Sequence, residues 1–162
     1  MPSLHLVASR GHADLATTLI CQEAPSLVSA RNKCLDTPLQ CAARGGHREV
    51  AACLLSAMRA GGADEAAALR ATNRLGDTAL HEAVRHRRAG VVDLFMAEAT
   101  ELASVTSDDG VLPLYLAVTT ESKQIVRLLL RPSPEGTPSP ASAAGPTGRT
   151  ALHAAATIST VL

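Results

Sequence analysis

Apolar residues recur along this chain in one fixed pattern. Counted from Leu4, Leu39, Leu80 and Leu114, apolar residues stand at offsets three and four: Val7 and Ala8, Ala42 and Ala43, Ala83 and Val84, Ala117 and Val118. They return at offsets 11, 12, 15 and 16, as Leu15, Ala16, Leu19 and Ile20 in the first copy and Val50, Ala51, Leu54 and Leu55 in the second. The third copy has Val91, Val92, Phe95 and Met96, and the fourth Ile125, Val126, Leu129 and Leu130. Offsets of this kind are apolar stripes at the 3.6-residue period of a helix. The apolar unit is constant, whereas the connectors from its end to the next leucine run 19, 25, 18 and 22 residues. A packed helix–turn–helix joined by variable loops is the unit such a repeat predicts.

The boundaries carry their own chemistry. In Thr37-Pro38-Leu39-Gln40, threonine suits the helix cap and proline the first helical position, where its missing N–H costs nothing. Gln40, three past the cap, is placed to reach back as in a capping box. Thr78-Ala79-Leu80-His81 and Thr150-Ala151-Leu152-His153 keep the threonine and put histidine after the leucine, where Gln40 stands in the second copy. Arg10-Gly11-His12 and Gly45-Gly46-His47 separate the two stripes, and glycine there closes a helix in the left-handed conformation. Arg87-Arg88 and Glu121-Ser122 hold that place in the third and fourth copies, at a cost on the order of 1 kcal/mol each if they adopt it.

With Thr37-Pro38-Leu39-Gln40-Cys41-Ala42-Ala43, Gly46-His47 and Leu54-Leu55 in this order, the chain resembles an ankyrin-repeat protein over residues 2–131 and 148–156. The resemblance implies an all-α solenoid of stacked helix–turn–helix units joined by hairpin-like loops. Residues 1–131 are then repeats 1–4, the first lacking its leading hairpin. Residues 132–147 form a flexible Pro/Ser/Gly/Ala-rich connector, and 148–162 an incomplete fifth repeat. Within the connector, Ser133, Thr137 and Ser139 each precede proline, a pattern open to phosphorylation. A narrower resemblance joins residues 76–85, 108–117 and 145–154 to the ankyrin arrays of plant accelerated-cell-death-type proteins. There such an array precedes a membrane domain and serves defence and cell-death signalling.

Composition narrows the function. Fifteen basic and fifteen acidic residues cancel, and Phe95 and Tyr115 are the only aromatics, which argues against a nucleic-acid surface. No run approaches the ~20 apolar residues of a membrane helix, so no membrane insertion and a cytoplasmic location are expected, at the plasma membrane only if a longer form carries a transmembrane domain. The four cysteines contain no C-x-x-C pair. His81-Glu82-Ala83-Val84-Arg85-His86 sets its histidines five apart, roughly 140° around a helix, where a zinc helix needs four. No cofactor, metal or catalytic group is therefore expected, and the chain is not read as an enzyme.

Binding of another protein remains, with self-association as a further partner class. The ankyrin resemblance implies a concave face lined by first helices and a row of loop tips. Charged and polar residues unused by the apolar pattern are the candidates for contact. On the loops these are Lys33, Asp36, Arg74, Asp77, Asp108 and Asp109, and on the first helices Arg44, Arg85, His86 and Thr119. Basic groups fall on repeats 2 and 3, and acids on the loop entering repeat 4. An interaction scaffold in plant defence or cell-death signalling is the expected role. The alternative is the cytosolic ankyrin part of a membrane-anchored regulator whose transmembrane domain is missing from this chain.

Overall fold

The fold was obtained as a computed structural model, which describes residues 3–23, 25–60, 65–131 and His153. The proposed connector, its three phosphorylation candidates and nearly all of the fifth repeat lie outside these residues. Four helix pairs follow one another: α1 (Ser3–Arg10) with α2 (Ala13–Glu23), α3 (Pro38–Gly45) with α4 (Arg48–Ala60), α6 (Ala79–Arg85) with α7 (Ala89–Glu98), and α8 (Pro113–Thr119) with α9 (Lys123–Leu129). A short α5 (Glu65–Leu69) occupies the longest loop, as its alanine-rich composition predicts. First helices pack in series, α1 on α3, α3 on α6 and α6 on α8, and second helices likewise from α2 through α4 and α7 to α9. The result is a two-layered all-α solenoid, with no strand among the described residues.

The repeat register places the core. Leu4, Leu39, Leu80 and Leu114 are buried, as are Ala8, Ala42, Ala43, Ala83, Val84 and Ala117, so small side chains let the first helices pack closely. Val50, Val91 and Ile125 are buried at offset 11, yet Leu15 at the same offset is 53 % exposed, because no described repeat precedes it. Leu130 is also 53 % exposed, since α9 ends at Leu129 and turns it outward. Two connectors hold more structure than their polarity suggests. Pro25–Ser29 and Thr100–Ser104 form 3-10 turns that carry Val28 and Leu102 into the core.

The turn chemistry behaves as the spacing predicts. Gly11 and Gly46 take φ of 79° and 83°, and Arg87 and Glu121 are held in the same left-handed region at 55° and 53°. Gly46 N–H closes α3 onto the carbonyls of Ala42 and Ala43. Arg87 is compensated by a 2.7 Å bond from its guanidinium to the Thr120 carbonyl of the next repeat.

One ladder of side-chain bonds ties each repeat to its successor. His5 Nε2 lies 2.8 Å from the Asp36 carbonyl, Gln40 Nε2 donates to the Asp77 carbonyl at 2.8 Å, and His81 Nε2 meets the Val111 carbonyl at 2.9 Å. Each acceptor sits three residues before the next repeat's leucine. The other end of the same side chain caps its own helix. Thr37 N–H donates to Gln40 Oε1 at 2.7 Å, and Thr78 N–H to His81 Nδ1 at 3.3 Å. His81 therefore carries its proton on Nε2, and burial pushes its pKa below the ordinary 6.5. In the first repeat Nδ1 of His5 is buried with no hydrogen-bond partner among the described residues. In the sequence Pro2 stands in register with Thr37 and Thr78, and proline carries no N–H.

Candidate functional site

The loops entering α3 and α6 are wound on asparagine. Asn32 Oδ1 accepts from the N–H groups of Cys34 and Asp36 at 2.8 and 3.0 Å, and Asn73 Oδ1 from Leu75 and Asp77 at 2.9 and 3.1 Å. Such local bonds compete well with regular structure and fix a tight turn. Their consequence is that Asp36 and Asp77 turn inward, only 2 % and 1 % exposed.

A buried carboxylate needs charged and hydrogen-bonding partners, and first-helix arginines supply them. Arg44 grips Asp36 through two nitrogens at 2.9 and 3.2 Å and, through Nε, reaches Glu82 of the next repeat at 2.8 Å. Arg85 repeats the first contact one unit on, with Nε and Nη2 at 3.1 and 2.6 Å from Asp77 Oδ2. Its position has no acid to reach forward to, because Leu116 replaces Glu82 in the following repeat. Asn73 closes the network by donating to Asp36 at 3.1 Å and to Glu82 at 2.8 Å. His86 lies 3.5 Å from the same Glu82 carboxylate. The Glu82 hydrogen bond is the largest influence raising the Arg44 pKa, so the guanidinium stays charged at any working pH.

Four of the ten sequence-predicted contact residues are thus committed to the stack. Asp36 and Asp77 are not free loop-tip acids but buried counter-ions, and Arg44 and Arg85 are their partners with side chains 40 % and 44 % exposed. The other six, Lys33, Arg74, His86, Asp108, Asp109 and Thr119, lie exposed. Glu82, Asn32 and Asn73 were missed. The signal for the two asparagines is a recurrence: asparagine seven before the leucine, aspartate three before and arginine five after, in both repeat 2 and repeat 3.

Above this network opens a cleft of about 440 Å³, with Asp36, Arg44 and Glu82 on its floor and Arg74, Leu75 and His86 among its walls. Cys41 lies at the place Glu82 occupies in the next repeat. Burial, with help from the Asp36 carboxylate, pushes its thiol up to about 11, which keeps it protonated and unreactive. Among the described residues no group of three His, Cys, Asp or Glu is placed to hold a metal ion, and no helix is long and apolar enough to cross a membrane. His81, candidate for a metal helix in motif only, spends both ring nitrogens on Thr78 and Val111.

Residues 4–104 match the family described as ankyrin repeats in three copies, more than half of the chain. The chain belongs to the ankyrin-repeat family. Ankyrin repeats are a non-enzymatic module that generally mediates protein–protein interaction. No curated protein matches the chain. In this ankyrin array the fourth helix pair, Pro113–Leu129, lies beyond the matched residues yet stacks on the third through α6 and α7.

Proposed function

We propose that this ankyrin array is a non-covalent protein-binding scaffold whose partner lies along the first helices and the cleft above them. The observation that carries this reading is the cleft itself. It is a recess of about 440 Å³ with a rigid ionic floor and exposed walls, so a side chain entering it meets a preorganised surface. Arg44, Arg85 and Thr119 occupy one offset in three consecutive repeats and form a row on the same side of the stack. Likeness of the 76–85 and 108–117 stretches to plant accelerated-cell-death-type arrays supports a cytosolic role in defence or cell-death signalling, with a membrane-anchored regulator as the longer form.

Reversing Arg44 and Arg85 cannot test this reading, because glutamate there would face Asp36 and Asp77 and unfold the site. His86→Ala with Thr119→Arg is the clean probe, as both residues are exposed and His86 closes α6 through its backbone N–H, which alanine keeps. The double variant should keep the helical melt of the parent and lose the proteins the parent captures from a plant lysate at matched salt. Retention of the same proteins would move the binding surface to the second helices.

A further inference from the structure

We infer that the row of loop tips is a self-complementary surface on which a second copy of this chain docks about a two-fold axis. The tips are Lys33-Cys34-Leu35, Arg74-Leu75-Gly76 and Asp108-Asp109-Gly110. They are joined to one another. Arg74 N–H donates to the Cys34 carbonyl at 3.1 Å, and a Cβ on Gly76 would run into the backbone nitrogen and side chain of Asp108. Lys33, Arg74, Asp108 and Asp109 are all exposed, and none forms an ion pair or side-chain hydrogen bond with a described residue. Charge along the row therefore runs positive, positive, negative, with Leu75 at the middle tip 63 % exposed.

A two-fold axis through the middle tip pairs each end with the opposite end of its mate. Lys33 of one copy then faces Asp108 and Asp109 of the other, while the two Leu75 side chains meet at the axis with an Arg74 of each copy beside them. The formal net charge of zero adds no long-range repulsion between copies. Arg74 and Leu75 also wall the cleft, so a partner seated in it and a second copy share the middle tip, whereas the first-helix positions His86 and Thr119 lie outside the tip contact. Three loop tips make a contact below roughly 1,200 Å², the size of a transient interface.

The test uses the whole chain and three tip variants. Light scattering or sedimentation at about 0.1 mM and low salt should show a concentration-dependent dimer that weakens as salt shortens the screening length. Leu75→Lys, which replaces the apolar contact at the axis and adds two like charges beside the Arg74 pair, should weaken it about tenfold or more. The quadruple change Lys33→Glu, Arg74→Glu, Asp108→Lys, Asp109→Lys inverts the row and leaves net charge at zero. It should dimerise with itself as the parent does, yet form no mixed dimer with the parent when differently labelled chains are combined. A third variant, His86→Ala with Thr119→Arg, should dimerise normally, which separates this contact from partner capture. A monomeric parent at low salt, or mixed dimers at the statistical share, would overturn the proposal.

Discussion

Arg44 and Glu82 belong to different repeats and meet at 2.8 Å, Nε to Oε2, while the remaining nitrogens of Arg44 hold Asp36 of its own repeat. One half-exposed guanidinium thus neutralises two carboxylates whose side chains are 3 % and 2 % exposed. Replacing Arg44 by alanine leaves both acids buried without their cation. Loss of one partner of a fully buried pair costs about 3–5 kcal/mol, and water reaching this half-open site reduces that to about 2 kcal/mol. Arg85→Ala strands only Asp77 and should cost less. Urea melts of both variants check the ranking, and an equal cost would mean that the Glu82 contact contributes nothing.

His81 makes stability depend on pH with a definite sign. Its folded pKa is lowered by burial from 6.5, so below about pH 6.5 the unfolded chain takes up a proton that the folded chain refuses. Its contribution is complete above pH 6.5 and is lost as pH falls, at no more than about 1.4 kcal/mol per unit. Gln40 shows that an amide makes the same pair of bonds without titrating. His81→Gln should therefore be mild at pH 7.5 and should narrow the gap between urea midpoints at pH 7.5 and 5.5. An unchanged gap would assign the acid sensitivity to other histidines.

Leu35 occupies a left-handed position, φ 62°, that repeats 3 and 4 give to Gly76 and Gly110. A branched side chain is disfavoured there by about 1–2 kcal/mol, part of which glycine's freedom in the unfolded chain offsets. Leu35→Gly should raise stability by about 1 kcal/mol in a thermal or denaturant melt. Gly76→Ala should lower it by more, since it adds a clash with the Asp108 backbone to the same strain. Loss of stability in Leu35→Gly would mean the 41 % exposed leucine packs more than its exposure indicates.

The four thiols should react in order. Cys21 and Cys34 are exposed, Cys53 is half-buried with Thr17 Oγ1 at 3.3 Å, and Cys41 is both buried and held as the thiol. Alkylation at pH 8 followed by peptide mass mapping should label Cys21 and Cys34 first and Cys41 only on unfolding. Early labelling of Cys41 would show that the repeat 2–3 junction opens in the folded chain.

Much of the fold was legible because each repeat obeys a local rule. Period sets the helices, Thr37 and Thr78 mark their starts, and even Arg87 and Glu121 reveal the turn by standing where Gly11 and Gly46 stand. The candidate site was half legible for an equally physical reason. A charged residue on a polar loop is exposed on average, and Lys33, Arg74, Asp108 and Asp109 follow that average. Asp36 and Asp77 do not, because turns closed on the Asn32 and Asn73 side-chain oxygens direct them toward arginines eight residues later. Glu82 lies beyond any local reading, as its partner is on the preceding repeat. Val28 and Leu102 escaped for the opposite reason, as apolar residues outside the repeating register that 3-10 turns bring inward.

The ladder of His5, Gln40 and His81 always points forward, from a side chain to the backbone of the following repeat. A chain emerging from the ribosome meets these contacts in order. The newest repeat keeps its ring or amide bonded to water until about thirty further residues supply a carbonyl, a delay of a few seconds at ordinary synthesis rates. Growth therefore leaves a wet, incompletely bonded edge only at the advancing end, and each arriving loop seals the repeat behind it. At the fourth repeat Tyr115 stands where His5, Gln40 and His81 stand before it, so that rung of the sequence carries a phenol and neither an imidazole nor an amide.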